Sequence, residues 1–302
     1  MQIGFVGLGA MGRGMAANLV RAGFPTRVYD VRFEAVEELA GQGAVPAASA
    51  PEAAAGADIV CVSVFDEGQV SSVLLGRDGE TGILDTLPEE SIVLVHTTVS
   101  PEFIVEMDAV ARDRGASLID VAITGGGSAA AVAGELTFVV GGPDKAVEHA
   151  RPALDAMAST ILHVGPLGAG MGAKIVSNFL SAGNLALVRE AERIAMAMGL
   201  GEAQMFEVVS RGRVGASWVS ENWDVIRRQE ETLAPGIAGP GRISAKDLTL
   251  AGELARRLKV SAPVLATIVA DAVPDIRKNG VTVRRGTAPP ALQHGRGSGP
   301  VV

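Results

Sequence analysis

Gln2-Ile3-Gly4-Phe5-Val6-Gly7-Leu8-Gly9-Ala10-Met11-Gly12 is the stretch on which the reading of this chain turns. Residues 2–6 read as a short buried strand. Gly7, Gly9 and Gly12 then follow in the spacing G-x-G-x-x-G, and Met15, Ala16, Leu19 and Val20 continue at helical spacing to Gly23. That motif has physical meaning only between a strand and a helix, which is its context here. Gly7 permits the tight turn, Gly9 lets a pyrophosphate approach the backbone, and Gly12 lets helix and strand pack closely. Leu8, Ala10 and Met11 fill the intervening positions, and the helix start offers unpaired N–H groups to the phosphates.

Working outward, a second strand, Thr26 to Tyr29, ends at Asp30. An acidic residue at that point accepts the ribose hydroxyls and repels a 2′-phosphate, so the spacing favours NAD over NADP. Arg32, two residues on, keeps NADP possible. Strand and helix signals then alternate: a helix over Phe33–Leu39, a short strand at Ala44–Val45, a short helix at Pro51–Ala55, a buried strand over Asp58–Val64 and a helix over Gln69–Leu75. Ser91–Val95, Ser117–Asp120, Thr137–Val140 and Thr160–Val164 are further strands, with helices over Pro101–Arg112 and Pro143–Met157. This rhythm predicts a mostly parallel, doubly wound sheet with ligands at the carboxyl ends of its strands. Val64, Phe65, Thr98 and the segment after Asp120 fall at such ends. In that segment, Thr124 and Gly125-Gly126-Gly127 offer a hydroxyl and exposed backbone N–H groups that suit a carboxylate.

Beyond Gly165-Pro166 the chain turns helical. Gly168 to Gly199 carries an apolar stripe (Ile175, Val176, Phe179, Leu180, Leu185, Leu187, Val188, Ala191, Ile194, Ala195) over about three times the length of an ordinary helix. Lys174 and Asn178 lie four apart near its start, so both project from one face. Taken alone the pair reads as solvated polar residues; behind a dinucleotide-binding sheet and an anion-binding loop it reads as a site. Further helices are expected over Glu202–Ser210, Ala216–Arg228, Ser244–Leu258 and Pro263–Val273, with a loop over Ala234–Gly241. Lys246-Asp247 sits early in the third of these helices, where a solvated face is the plain reading.

Composition sets the bounds. The chain has 302 residues, 48% apolar and 20% charged, with a net charge of −8. That balance argues against nucleic acid and anionic membrane surfaces as partners. No run of apolar residues is long enough for a membrane span, and no basic leader precedes the first strand. Cys61 is the single cysteine, inside an apolar run. It cannot form an internal disulfide, which points to a reducing, cytoplasmic compartment. His96 reads as a packing residue, and no His/Cys/Asp spacing suggests a metal site. Basic residues accumulate from about Pro274, and 286–302 has the composition of a disordered tail.

Four motifs together resemble the β-hydroxyacid dehydrogenases, the group of 3-hydroxyisobutyrate dehydrogenase and tartronate semialdehyde reductase. They are the glycine fingerprint from Phe5 to Leu19, the loop from Asp120 to Gly127, the helix start Gly168-Ala-Gly-Met-Gly-Ala-Lys-Ile-Val-Ser-Asn178, and Lys246-Asp247-Leu248. The resemblance covers roughly residues 1–273. It implies a Rossmann-type dinucleotide-binding domain over 1–164 and an all-helical substrate and oligomerisation domain over 165–285. The second domain opens with the long interdomain helix and is similar to the C-terminal domain of 6-phosphogluconate dehydrogenase. It further implies a small carboxylate substrate, a homodimer or homotetramer, and Lys174 as general acid/base. Asn178, Thr124, Gly125 and Gly126 would hold the substrate. Thr98 and Lys246, beside Val64 and Phe65, would contact the cofactor near its nicotinamide. Ala122, Thr124, Asp66 and His96 stand where the family usually has Pro, Ser, Pro and Asp. The alternatives are an imine or other reductase on the same scaffold, which Lys174 opposes, and a dinucleotide-binding protein without catalysis.

Overall fold

The computed structural model of the protein describes residues 1–77, 79–125, 127–212, 215–232 and 240–279. The chain divides into two compact units, Met1–Ile175 and Val176–Val302.

The first unit is built on an eight-stranded sheet. Its elements in chain order are β1 (Ile3–Val6), α1 (Gly12–Arg21), β2 (Thr26–Tyr29), α2 (Phe33–Ala40), β3 (Val45–Pro46), α3 (Ala50–Ala54), β4 (Ile59–Val62), α4 (Glu67–Leu75), β5 (Ile92–Val95), α5 (Pro101–Arg112), β6 (Ser117–Thr124), α6 (Gly127–Ala133), β7 (Leu136–Gly141), α7 (Asp144–Met157) and β8 (Ala158–Gly165). The strand order is β3-β2-β1-β4-β5-β6-β7-β8, parallel throughout except for the antiparallel β6–β7 pair. The order reverses direction at β1–β4, and the crevice beyond that switch point is where open α/β sheets take their ligands.

Alternation along each strand fills both faces. Ile3, Phe5, Ile59, Cys61, Ile92 and Leu94 join Met15, Leu19 and Leu154 in one buried cluster. Val6, Val60, Val62, Val93 and Val95 join Val70, Leu74 and Ile104 in the other. Burying a side chain such as Phe5 or Leu19 contributes roughly 1.5–3 kcal/mol, so a sheet covered on both faces is a stiff platform for its own rim. Cys61 is fully buried and burial pushes its thiol well above the ordinary range, in keeping with an inert core residue.

The structure differs from the sequence-based expectation after Asp120. β6 does not stop there but runs on to Thr124, pairing antiparallel with β7 from Asp120↔Gly141 to Thr124↔Thr137. Val121 and Ala122 are buried, and that burial extends the strand. The Ala-rich run that follows is the helix α6, as alanine's propensity favours. It lies hard against α1: a Cβ on Gly14 would come within 2.7 Å of the Ala131 backbone, and Asn18 Nδ2 donates to Ala131 O at 2.8 Å.

The long helix α8 spans Ala169–Ala197, and the helical unit continues with α9 (Glu202–Arg211), α10 (Trp218–Glu221), α11 (Trp223–Thr232), α12 (Pro240–Arg257) and α13 (Pro263–Asn279). The single helix expected over Ala216–Arg228 is two. Asn222 interrupts it with non-helical backbone, its side chain donating to Trp218 O at 2.9 Å, the competition with backbone that disfavours Asn within helices. α12 begins at Pro240 rather than Ser244, and α13 continues past Val273 to Asn279. Residues 234–239 of the expected loop and the tail over 286–302 lie outside the described residues. Trp223, Val188 and Val219 form a small buried cluster. Trp223 carries the Arg189 guanidinium 4.3 Å above its ring and donates to Glu202 Oε1 at 3.0 Å.

Candidate active site

The glycine-rich turn follows β1 at the switch point. Gly7 has φ of +95°, and a Cβ there would strike the Ser63 carbonyl beyond β4. A Cβ on Gly12 would strike the Gly7 carbonyl and lie 3.1 Å from the Phe5 ring. Nothing stands within 4 Å of a Cβ built on Gly9. The turn is therefore closed on its two structural glycines and open at the one that a pyrophosphate must approach. Met11, at the α1 N-cap, makes no side-chain capping bond, which leaves that helix start to its backbone N–H groups. A cradle of this form fits a dinucleotide.

Asp30, at the end of β2, is bound into the same turn. Its Oδ2 accepts the Leu8 N–H at 2.6 Å, and its Oδ1 accepts the Arg32 N–H at 2.8 Å and Arg32 Nε at 3.1 Å. Arg32 also donates through Nη2 to Leu8 O at 2.8 Å. Burial acts to raise the Asp30 pKa, but the Arg32 side-chain and backbone bonds and the Leu8 N–H together outweigh it and hold it below the ordinary carboxylate value. The group is an anion at neutral pH, beside the turn that would carry the adenosine ribose.

Val64 and Phe65 lie just beyond β4, and Thr98 lies just beyond β5. The two strand ends are locked by Thr97, whose Oγ1 accepts from Val64 N at 2.9 Å and donates to Val64 O at 3.0 Å. Ser100 caps α5, and its own N–H donates to Glu67 Oε1 at 2.6 Å. Thr124 closes β6 on the same carboxyl edge, followed by Gly125 at φ of +77°. Gly126 lies outside the described residues.

Lys174 sits half-buried in the second turn of α8. The start of that helix is bonded to β6: Asp120 Oδ1 accepts the Gly168 N–H and Oδ2 accepts the Met171 N–H, each at 2.7 Å. Gly7–Gly12, Asp30, Val64, Phe65, Thr98, Thr124, Gly125 and Lys174 thus all belong to the sheet unit. Asn178 and Lys246 belong to the helical unit. There Asn178 Nδ2 donates to Asp247 Oδ2, and Lys246 Nζ stands 3.0 Å from Asp247 Oδ1, an ion pair whose direction makes no hydrogen bond. Asp247 is 1% exposed, so the plain reading of Lys246-Asp247 as a solvated face is corrected: its carboxylate ties α12 to α8.

Two residues escaped the sequence reading as separate actors, Asp120 and Asp247. Each left one signal, an acid set among apolar neighbours: Ile119 and Val121 about Asp120, and Leu248 beside Asp247. His96 is a packing residue as expected. It is buried between the Phe5 and Phe138 rings with Nδ1 3.2 Å from Val121 O, and burial lowers its pKa to about 4.

The sheet, its glycine turn and the acid beside it define a dinucleotide-binding oxidoreductase of the NAD(P) class. Residues 2–165 match the family described as the NAD binding domain of 6-phosphogluconate dehydrogenase. Residues 168–277 match the NAD-binding domain of NADP-dependent 3-hydroxyisobutyrate dehydrogenase. An NAD-dependent L-serine dehydrogenase of Pseudomonas aeruginosa is 37% identical over 267 residues, 87% of this chain and 88% of that one. A solved Mycobacterium tuberculosis 3-hydroxyisobutyrate dehydrogenase with L-serine superposes with a TM-score of 0.77 at 29% identity, covering 91% of this chain and 94% of that one. An imine reductase of Myxococcus stipitatus, 20% identical with a TM-score of 0.65 over 91% of this chain and 93% of that one, shares the fold alone. The chain belongs to the β-hydroxyacid dehydrogenase family. It is an NAD(P)-dependent dehydrogenase or reductase acting on a CH–OH group.

Proposed function

We propose that the protein interconverts a small β-hydroxy acid and its semialdehyde, with NAD preferred and Lys174 as the general acid/base. One observation carries this reading. Lys174 is half-buried one turn beyond a helix start that is bonded to β6, the strand that ends at Thr124 on the same carboxyl edge of the sheet as the glycine turn. The two relatives named above act on, or hold, L-serine and 3-hydroxyisobutyrate, each a carboxylate with a primary alcohol on the β-carbon.

In this reading Thr124, Gly125 and Gly126 take the substrate carboxylate through a hydroxyl and backbone N–H groups. Asn178 holds the substrate and orients Lys174. Thr98, Val64 and Phe65 bound the nicotinamide end, to which Lys246 is also assigned. The nicotinamide, when bound, accepts or returns the hydride. As the hydride leaves the alcohol carbon, the neutral amine of Lys174 takes the hydroxyl proton; in the reverse direction its ammonium protonates the developing alkoxide. Asp30, ionised as it is here, accepts ribose hydroxyls and repels a 2′-phosphate, which supports NAD over NADP. The sheet domain over 1–164 carries the cofactor, and the helical domain over 165–285 serves substrate binding and oligomerisation.

The same reading makes the protein a homo-oligomer of the cytoplasm. Val176, Leu180, Leu187 and Ile194 are exposed on α8 and fall within one face of it. They form a stripe about 27 Å long that a second copy of the chain would cover. No helix among the described residues is long and apolar enough to cross a membrane.

The test is an oxidation screen with NAD and NADP over about a dozen hydroxy acids, among them L-serine and 3-hydroxyisobutyrate, with cyclic imines in the reductive direction. Turnover of a β-hydroxy acid, faster with NAD, is expected. Reduction of imines without any hydroxy-acid turnover would overturn the reading. Dinucleotide binding without turnover on either panel would assign a non-catalytic binding protein.

A further inference from the structure

We propose that Asp120 is a positioning residue for Lys174, its carboxylate fixing the first turn of α8 against β6 and so setting where Lys174 stands relative to the Thr124 end of that strand. The inference rests on the assignment of Lys174 as the acid/base.

The way other helices of this unit begin makes the case. α3, α4 and α5 are capped locally: Ser49 accepts from Glu52 N, Asp66 from Gln69 N, and Ser100 from Phe103 N. Such a cap ends a helix without relating it to anything else. α8 is capped instead from 48 and 51 residues upstream, by a carboxylate that is 0% exposed. Each oxygen takes a different N–H at the helix start, that of Gly168 just before α8 and that of Met171 in its first turn, which fixes the helix in rotation as well as in distance. The fit is tight. A Cβ on Gly141 would come within 2.5 Å of Asp120 Oδ1, and one on Gly170 within 2.7 Å of Oδ2 and 2.5 Å of Val139 O. Glycine at these two places is what lets strand and helix close upon the carboxylate.

Burial is costly for such a group. It raises the Asp120 pKa despite the backbone donors of Gly168, Met171 and Gly170. A neutral local cap would have stabilised the helix without that cost. What the buried carboxylate adds is register between two elements. Met171 is three residues before Lys174, about 4.5 Å of helix rise. Asp120 is four residues before Thr124, about 13 Å along the strand. Lys174 and the proposed carboxylate clamp are thus indexed to one side chain by short, stiff stretches of backbone.

Asp120→Asn tests this. The amide has nearly the same shape but can accept only one of the two N–H groups and turns its NH2 on the other. Asp108→Asn is the control: Asp108 is also buried and anchors the start of the same strand, its Oδ1 accepting Leu118 N at 2.8 Å, but it lies far from α8 in the chain. Each variant is measured for kcat and KM on the panel substrate that turns over, for the Kd of NADH by fluorescence, and for native near-ultraviolet circular dichroism. Lys174→Ala is run beside them. In Asp120→Asn, kcat falls by about 10- to 100-fold while the NADH Kd stays within about twofold and the fold is native. In Asp108→Asn, kcat is unchanged whatever its stability. A folded Asp120→Asn with kcat within twofold of the parent overturns the proposal. Should Asp120→Asn not fold, Gly170→Ala takes its place by wedging the same contact. Lower kcat with native fold and NADH binding then supports the proposal, whereas unchanged kcat, or loss of the fold in both variants, overturns it. Turnover surviving in Lys174→Ala removes the acid/base assignment and the proposal with it; turnover lost there but kept in Asp120→Asn removes the proposal alone.

Discussion

The sheet unit and the helical unit hold their polar residues by different means. In the sheet unit, strands buried on both faces carry the rim; Gly7, Val64, Thr98 and Thr124 stand at or just beyond strand ends, and the Asp30, Thr97 and Asp120 side chains bond the neighbouring backbone. Val6, Val62 and Val95 are buried under Gly7, Ser63 and His96, so the turn that would take a phosphate inherits the stiffness of the core. In the helical unit, Asn178 and Lys246 are held through one buried carboxylate, Asp247. Large apolar side chains remain in solvent along α8 in the same unit. A sheet covered on both faces spreads the cost of local injury over many contacts; a buried carboxylate on which two side chains converge concentrates it.

Asp247→Asn attacks the pinned arrangement and has the largest expected effect. Replacing a buried carboxylate that accepts from Asn178 and faces the Lys246 ammonium costs about 3 kcal/mol. Hydrogen exchange should accelerate in α12 and in the part of α8 beyond Ile175, with β4 and β5 unchanged. Equal acceleration in both units would erase the contrast.

His96 sharpens the account of the sheet unit. Its pKa is about 4 in the fold against an ordinary 6.5. Unfolded chains bind that proton below pH 6.5 and the folded one does not, so the stability it allows is present above pH 6.5 and is lost as pH falls toward 4. The loss amounts to roughly 3 kcal/mol. His96→Leu should flatten the urea-unfolding free energy between pH 7 and pH 4.5 by about 2 kcal/mol. A parental slope in the variant would assign the acid sensitivity elsewhere.

The two glycines of the turn separate stiffness from access. Gly12→Ala places a methyl on the Gly7 carbonyl, and overpacking of this kind costs about 1–3 kcal/mol, so stability and NADH affinity fall together. Gly9→Ala meets no atom within 4 Å, so the melting temperature holds while NADH affinity alone falls. Calorimetry with and without NADH reads both.

Leu187→Glu has the smallest effect on the single chain, within about 0.5 kcal/mol for an exposed position. Light scattering should nonetheless show the assembly reduced to smaller species. An unchanged mass would place the self-contact elsewhere than on α8.

Most of the sheet unit was legible in the sequence, because buried parallel strands write themselves as apolar runs and the glycine turn needs its glycines for steric reasons. The end of β6 was misjudged because Asp120 interrupts the apolar run, and a charge in a strand reads as a boundary until its partners, Gly168 and Met171, are seen. Those partners are 48 and 51 residues away, beyond the reach of any local pattern. The division at Asn222 escaped because apolar spacing runs through it, and the bond that ends the helix involves its own side chain. Asp247 looked like a surface residue for the same reason as Asp120: burial of an acid depends on distant donors, here Asn178, 69 residues earlier. The roles of Lys174, Thr124 and Asn178 came from resemblance, since spacing alone leaves a lysine on a helix indistinguishable from a solvated one.

The central claim is that Lys174 moves the proton while the glycine turn and its neighbouring strand ends carry the cofactor. The most direct measurement sets turnover of Lys174→Ala beside its NADH Kd, with the hydroxy acid that the parent oxidises. The account predicts a fall in kcat of roughly 10²- to 10⁴-fold with the NADH Kd unchanged. Parental kcat in a folded Lys174→Ala would contradict it.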